Sequence, residues 1–216
     1  MHLTKFGHSC VRLNEGERTL VLDPGVFSAA ADALHGTDAV LITHEHPDHV
    51  DADALTAAAS GNAELRIWAP ASVAEKLAPL SDIVTTVRPG EEFEAAGFEV
   101  RTFGGQHALI HKDVPVVANV GYLIDGAVYH PGDSFTVPTV PVDTVLVPIH
   151  APWSRVGEVL DFMIAVRARR GFQIHDALLN DNGLGVVYAH VHRVAGEYDL
   201  EFEVLDTGTT VDLSAG

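Results

Sequence analysis

Thr43-His44-Glu45-His46-Pro47-Asp48-His49 brings three imidazoles and a carboxylate together directly after the apolar run Ala39-Val40-Leu41-Ile42. Imidazole nitrogen and carboxylate oxygen form the donor set of zinc and related divalent cations. In an extended segment His44 and His46 project to one side, and Pro47 can open a helix that carries Asp48 and His49 around to another. One short turn can thus face two adjacent metal positions. With this chain's own His and Asp frequencies, H-x-H-x-D-H is expected by chance about four times in a thousand such chains, so a solvated His-rich loop is a poor account of it.

Donors of the same kind recur at other strand ends. Gly104-Gly105-Gln106-His107 ends a strand-like run, and the paired glycines leave room for close backbone approach, which makes His107 the natural third imidazole for a first metal. His130-Pro131-Gly132-Asp133-Ser134 puts Asp133 just past another strand, where a carboxylate can bridge two cations. His175 follows Gly171-Phe172-Gln173-Ile174, and Asp23, in Leu22-Asp23-Pro24-Gly25, reads either as a partner of a ligand histidine or as a turn cap.

These donors need strands that end along one edge. Residues 3–13 and 19–22 are rich in β-branched and apolar types and flank the turn-forming Asn14-Glu15-Gly16-Glu17, which predicts a hairpin. A short helix is expected over 29–34, a buried strand over 39–42, and a helix over 53–59 ending at Ser60-Gly61. Next come a strand over 65–68, a helix over 72–80 opened by Ser72, and strands over 83–87, 92–94 and 98–103. Residues 116–124 and 127–129 flank Asp125-Gly126, the strongest hairpin signal in the chain. Another buried strand spans 142–147, and apolar residues at steps of three and four from Val156 to Val166 predict a helix from Ser154. Past Asp181-Asn182-Gly183 only an edge strand over 198–205 is legible.

Composition narrows the function. The 216 residues fit one domain over 1–216, and 47% hydrophobic content supplies a sizeable core. No apolar run reaches the length of a transmembrane helix, and no export signal precedes the first strand. The single cysteine, Cys10, excludes an internal disulfide, so a reducing cytoplasm is the expected location. A net charge of -17 disfavours nucleic acid and anionic membranes, leaving a small-molecule substrate as the expected partner and a homo-oligomer open. Arg167-Ala168-Arg169-Arg170 reads as a helix C-terminus rather than a phosphate clamp.

With the hairpin start, Asp23, His44-x-His46-x-Asp48-His49, His107, Asp133 and His175 in this order, the chain resembles the metallo-β-lactamase superfamily. The resemblance implies an α/β fold, a four-layer αβ/βα sandwich with the active site along one edge of two sheets. It implies that His44, His46 and His107 hold a first metal, that Asp48, His49 and His175 hold a second, and that Asp133 bridges them. Gly7-His8-Ser9-Cys10, Leu22-Asp23-Pro24-Gly25 and Ile174-His175-Asp176 look most like the ascorbate-phosphate-lactonase-like branch of the metal-dependent hydrolases. Where the commoner motif continues Gly-Gly, this chain has Val50-Asp51, unlike glyoxalase II and true β-lactamases.

Two divalent metal ions, zinc by default with manganese or iron also suited, would hold a bridging hydroxide as nucleophile. Lowering the water pKa to about 7 stabilises that hydroxide by ~12 kcal/mol. The expected activity is hydrolysis of a small ester, lactone or phosphoester, with Asp48 orienting the hydroxide or relaying a proton. An iron-loaded redox enzyme and a non-catalytic binding protein are the alternatives. His111, Asn119, His150 and Trp153 are candidate substrate contacts, whereas His8, His130, His190 and His192 read as structural and Cys10 as a small buried residue.

Overall fold

Period-two alternation of core and outer side chains builds two seven-stranded sheets, whose central strands are buried on both faces, in the computed structural model, which describes residues 1–214. The first sheet contains β1 (His2–Lys5), β2 (Val11–Glu15), β3 (Arg18–Leu22), β4 (Ala39–Leu41), β5 (Arg66–Ala69), β6 (Val84–Thr86) and β14 (Thr210–Asp212). Its order is β14-β1-β2-β3-β4-β5-β6, antiparallel as far as β3 and parallel beyond. The second contains β7 (Glu92–Ala95), β8 (Phe98–Gly104), β9 (Val120–Ile124), β10 (Val128–His130), β11 (Thr144–Pro148), β12 (Arg170–Ile174) and β13 (Glu201–Glu203). It repeats the plan, with antiparallel pairing from β7 to β10 and parallel pairing from β10 to β13.

Leu20, Leu22 and Leu41 of the first sheet pack against Tyr122, Ile124, Leu146 and Phe172 of the second. Their odd-register neighbours face outward. Val21, Val40 and Ile67 meet α1 (Ala30–Leu34), α2 (Ala52–Gly61) and α3 (Ala71–Lys76) through Leu34, Leu55 and Val73. Val145 and Val147 meet α4 (Val156–Val166) and α5 (Asp181–Glu197) through Val159, Phe162 and Val191. Each such Leu, Val or Phe removed from water contributes about 1.5–3 kcal/mol, which drives assembly of the αβ/βα layers that the family resemblance implies. Polar contacts also cross between the sheets: the Tyr122 hydroxyl donates to Ile42 O at 2.9 Å, and Arg170 Nη1 donates to Asp212 O at 3.2 Å.

The structure revises several local expectations. Residues 3–13 do not form one strand. The chain breaks after Lys5, where Gly7 (φ 99°) and His8 (φ 45°) turn residues 6–10 inward before β2 resumes. Pro47 opens a hydrogen-bonded turn rather than a helix, with His49 N and Val50 N both donating to His46 O. The helix begins later because Asp51 caps α2, accepting from Asp53 N and Ala54 N, which gives the unusual Val50-Asp51 a structural role. Ser72 does not open α3, whose cap position is Pro70. The strand expected over 116–124 is irregular before Val120, and the unread tail holds the 17-residue α5 before the edge strand β13. Arg167 adopts a left-handed C-cap after α4, while Arg169 pairs with Asp143 and Glu201, so no phosphate clamp forms. Among the described residues, no helix is long and apolar enough to cross a membrane.

Candidate metal centre

Every expected ligand emerges from a strand end on one edge. His44, His46, Asp48 and His49 leave β4; His107 follows β8, Asp133 follows β10 and His175 follows β12. They converge as two groups whose ligand atoms lie within 4.8 Å of one another, His44 with His46, His107 and Asp133, and His8 with Asp48, His49 and His175. The Asp133 carboxylate stands between the groups. Its Oδ2 is 3.3 Å from His107 Nε2 and 3.1 Å from His175 Nε2, and its Oδ1 is 3.0 Å from His49 Nε2.

Outside this cluster, four imidazoles are anchored through Nδ1. His49 Nδ1–H donates to Asp23 Oδ2 at 2.7 Å, His107 Nδ1–H to Ala108 O at 2.6 Å, and His175 Nδ1–H to His150 O at 2.6 Å. His44 Nδ1–H reaches Thr43 Oγ1 at 3.0 Å, and that hydroxyl donates to Asp23 Oδ2 at 2.7 Å. Asp23 Oδ1 also accepts from Thr43 N, so this buried carboxylate orients an imidazole of each group and resolves its two sequence readings in favour of the histidine partner. In a neutral imidazole an outward Nδ1–H leaves Nε2 as an inward lone pair, which His49 presents once its second proton is displaced. His49 Nε2, His107 Nε2 and Asp133 Oδ1 are buried without a hydrogen-bond partner, even though His49 Nε2 and Asp133 Oδ1 are close. Buried polar atoms that crowd one point without being aligned on each other fit a shared cation there.

Charge is distributed to match. Burial alone would raise Asp133, but the neighbouring His49 charge and three imidazole contacts hold it well below the carboxylate range. Burial opposes protonation of His49, yet Asp133 and Asp23 hold its imidazolium well above the ordinary histidine value. Burial and His49 push His44 well below that value, which keeps it a neutral donor. Burial would raise Asp48, but hydrogen bonding from His8 and the His49 charge bring it down to about 2.

Of the four candidate substrate contacts, Trp153 is the one whose side chain hydrogen-bonds a ligand side chain of the cluster, with Nε1–H donating to Asp133 Oδ2 at 2.9 Å and its ring edge-on to His107. Asn119 is a buried structural amide rather than a substrate contact. It donates to Pro131 O and accepts from Asp133 N, because the Asp133 loop needs both its orphan groups satisfied. His111 is exposed and bonds Asp113 N, whereas His150 serves through its carbonyl. His130 is structural as read, donating to Ser9 O and accepting from Gly132 N. Burial pushes the Cys10 thiol up to about 12, as suits an inert core residue. Sequence reasoning missed His8 as a member of the cluster, and Gly7 inside an otherwise strand-like run is the signal of a break that could have found it.

Residues 2–175 match the profile of the beta-lactamase superfamily domain. The chain is 35% identical to protein Rv0786c of Mycobacterium tuberculosis over 98% of its own length and 99% of that relative. It is 28% identical to a UPF0173 metal-dependent hydrolase of Methylobacterium nodulans, over 62% of this chain and 63% of the relative. Among solved structures it is similar to Igni18, a metallo hydrolase of the archaeon Ignicoccus hospitalis, with 21% identity, a TM-score of 0.75 and 97% of each chain covered.

Proposed function

This chain belongs to the β-lactamase superfamily, and from that premise we propose that it is a metal-dependent hydrolase that cleaves a small ester or lactone at a two-cation site. The observation that carries the reading is the inward set of Nε2 atoms, each backed by an outward Nδ1 hydrogen bond, around the Asp133 carboxylate. His44, His46 and His107 would hold one cation, Asp48, His49 and His175 the other, and Asp133 would reach both; zinc suits this set, and manganese or iron is compatible. Bound there, two divalent cations would supply a water-derived nucleophile at neutral pH and would neutralise charge on the leaving group.

The chain's own residues do the rest. Asp48, held by hydrogen bonding from His8, presents its carboxylate to the second position, where it would orient the attacking water. Asp23 keeps an imidazole of each group in its donor tautomer, and the Trp153 indole walls the side nearest His107 and Asp133. Exposed apolar side chains crowd the same edge, Val26 and Phe27 after β3, Leu109 and Ile110 after β8, Val137 after β10 and Leu178 after β12. Such a rim favours a substrate with an apolar portion over a small phosphoester.

The test is elemental analysis of purified protein, followed by chelation and readdition of zinc, manganese or iron while aryl esters, lactones and phosphodiesters are assayed. Two equivalents bound with hydrolysis restored on an ester or lactone is the expected result. Two equivalents bound with no turnover on any of these substrates would refute the hydrolase reading.

A further inference from the structure

His8 lies among the atoms able to hold the second cation, yet its hydrogen bonds give it a different task. The loop over residues 6–10 swings it between two ligand-bearing segments, where its side chain is fully buried. On one side His8 Nδ1 accepts from Ala177 N at 3.3 Å, two residues past His175, and His8 O accepts from His175 N at 3.2 Å. On the other, His8 Nε2 is 3.1 Å from Asp48 Oδ2. A ring nitrogen that receives a backbone N–H carries no proton, so in the neutral imidazole the proton must sit on Nε2, which then donates to the carboxylate. Nε2 therefore has no lone pair for a cation, and the nitrogen that has one is already engaged by Ala177.

We propose that His8 is a positioning residue rather than a metal ligand, a neutral imidazole fixed in its Nε2–H form by Ala177 N–H that aims Asp48 at the second cation. The proposal rests on the two-cation reading above. Three features support the task. The His8 ring lies 4.2 Å from the His175 ring, centroid to centroid, so the residue that sets Asp48 is registered against another ligand of the same group. Asp48 Oδ2 is 3.6 Å from His175 Nε2 and 3.8 Å from His49 Nε2, close enough to share an ion with them once its rotation is fixed. Asp48 also sits on the partly exposed side of the group, where without a second anchor its side chain could turn away from the site.

Two measurements decide it. In 15N-histidine-labelled protein, long-range proton–nitrogen spectra report which ring nitrogen of His8 carries hydrogen, and the expected result is Nε2–H both without cation and after zinc loading. Zinc titration of His8→Leu is expected to weaken the second equivalent by about 10–100-fold while leaving the first within about 2-fold, as loss of a ligand's hydrogen-bond partner does. His8→Gln, whose amide N–H can reach the carboxylate, should recover most of that loss, a rescue that a purely space-filling role would not give. A metallated, deprotonated Nε2 in the zinc-loaded protein would overturn the proposal, as would unchanged second-site affinity in His8→Leu. Wild-type protein that takes fewer than two zinc ions would overturn the parent reading instead, and the tautomer in the cation-free protein would still decide this one.

Discussion

Asp23→Asn changes no volume, yet it strikes at both metal groups. Three donors meet the Asp23 carboxylate at 2.7 Å each, Thr43 N on Oδ1 and both Thr43 Oγ1 and His49 Nδ1 on Oδ2. An amide has one acceptor atom. Whichever way it is turned, its NH2 faces at least one of these donors, and the other contacts become hydrogen bonds to a neutral group. Losing one charge-assisted bond costs about 1.5–3 kcal/mol and weakening the other two about 1 kcal/mol each, so the cation-free protein should lose roughly 3–5 kcal/mol of stability. Cation binding should suffer at both positions, because His49 is oriented by Asp23 directly and His44 through the Thr43 hydroxyl. Loss of such outer partners typically lowers affinity about 10–100-fold, here for each equivalent. Urea unfolding of the cation-free protein gives the first quantity, and zinc titration followed by the fluorescence of Trp153, which touches Asp133, gives the second. Thr43→Val, which removes only the relay to His44, should weaken the first position far more than the second. If Asp23→Asn unfolded within 0.5 kcal/mol of wild type and bound both cations unchanged, the argument that Asp23 holds the imidazole tautomers would be wrong.

Other outcomes follow from single contacts. In Gly25→Ala the new methyl would overlap the Asp48 carbonyl and the His49 amide nitrogen, so the ligand turn must move, and second-site zinc affinity should fall by more than tenfold in calorimetric titration. Tyr122→Phe removes the hydroxyl that bonds Ile42 O across the sheets, and urea unfolding should show a loss of about 1–2 kcal/mol with two equivalents of cation still bound. In the cation-free protein the raised His49 contributes stability that is full below the ordinary histidine pKa and is lost as pH rises through its folded value. The depressed Asp133 and Asp48 contribute stability that is present above the ordinary carboxylate pKa and is lost as pH falls through their folded values, about 2 for Asp48. A cation must displace the His49 proton, so calorimetry at neutral pH in buffers of different ionisation heat should show net proton release, and heats independent of the buffer would contradict this.

The ligands that sequence reading could find were those whose geometry is local. His44, His46, Asp48 and His49 share one turn, and His107, Asp133 and His175 each lie a few residues past a segment whose pattern reads as a strand. His8 was hidden because the apolar pattern continues from β1 to β2 across a break that only the left-handed φ of Gly7 and His8 creates. The long α5 was hidden because Gly183, Gly185 and Gly196 dilute its pattern, although Val187, Val191 and Val194 keep helical spacing on its buried face and Asn180 caps it. Asn119 misled for a related reason, since a polar residue near a ligand loop looks like a substrate contact until its two backbone partners are seen.

Both metal groups draw on both sheets. His44 and His46 belong to the first sheet while His107 and Asp133 belong to the second, and Asp48 and His49 likewise face His175. Each cation would therefore act as a cross-link between the two halves of the sandwich, adding about 2.7 kcal/mol to their cohesion when its free concentration is 100 times its dissociation constant. In a cell short of metal that contribution disappears along with catalysis, the ligand edge opens more often, and proteolysis removes the chain faster. The supply of metal would thus set how much of this protein a cell keeps as well as how active each copy is.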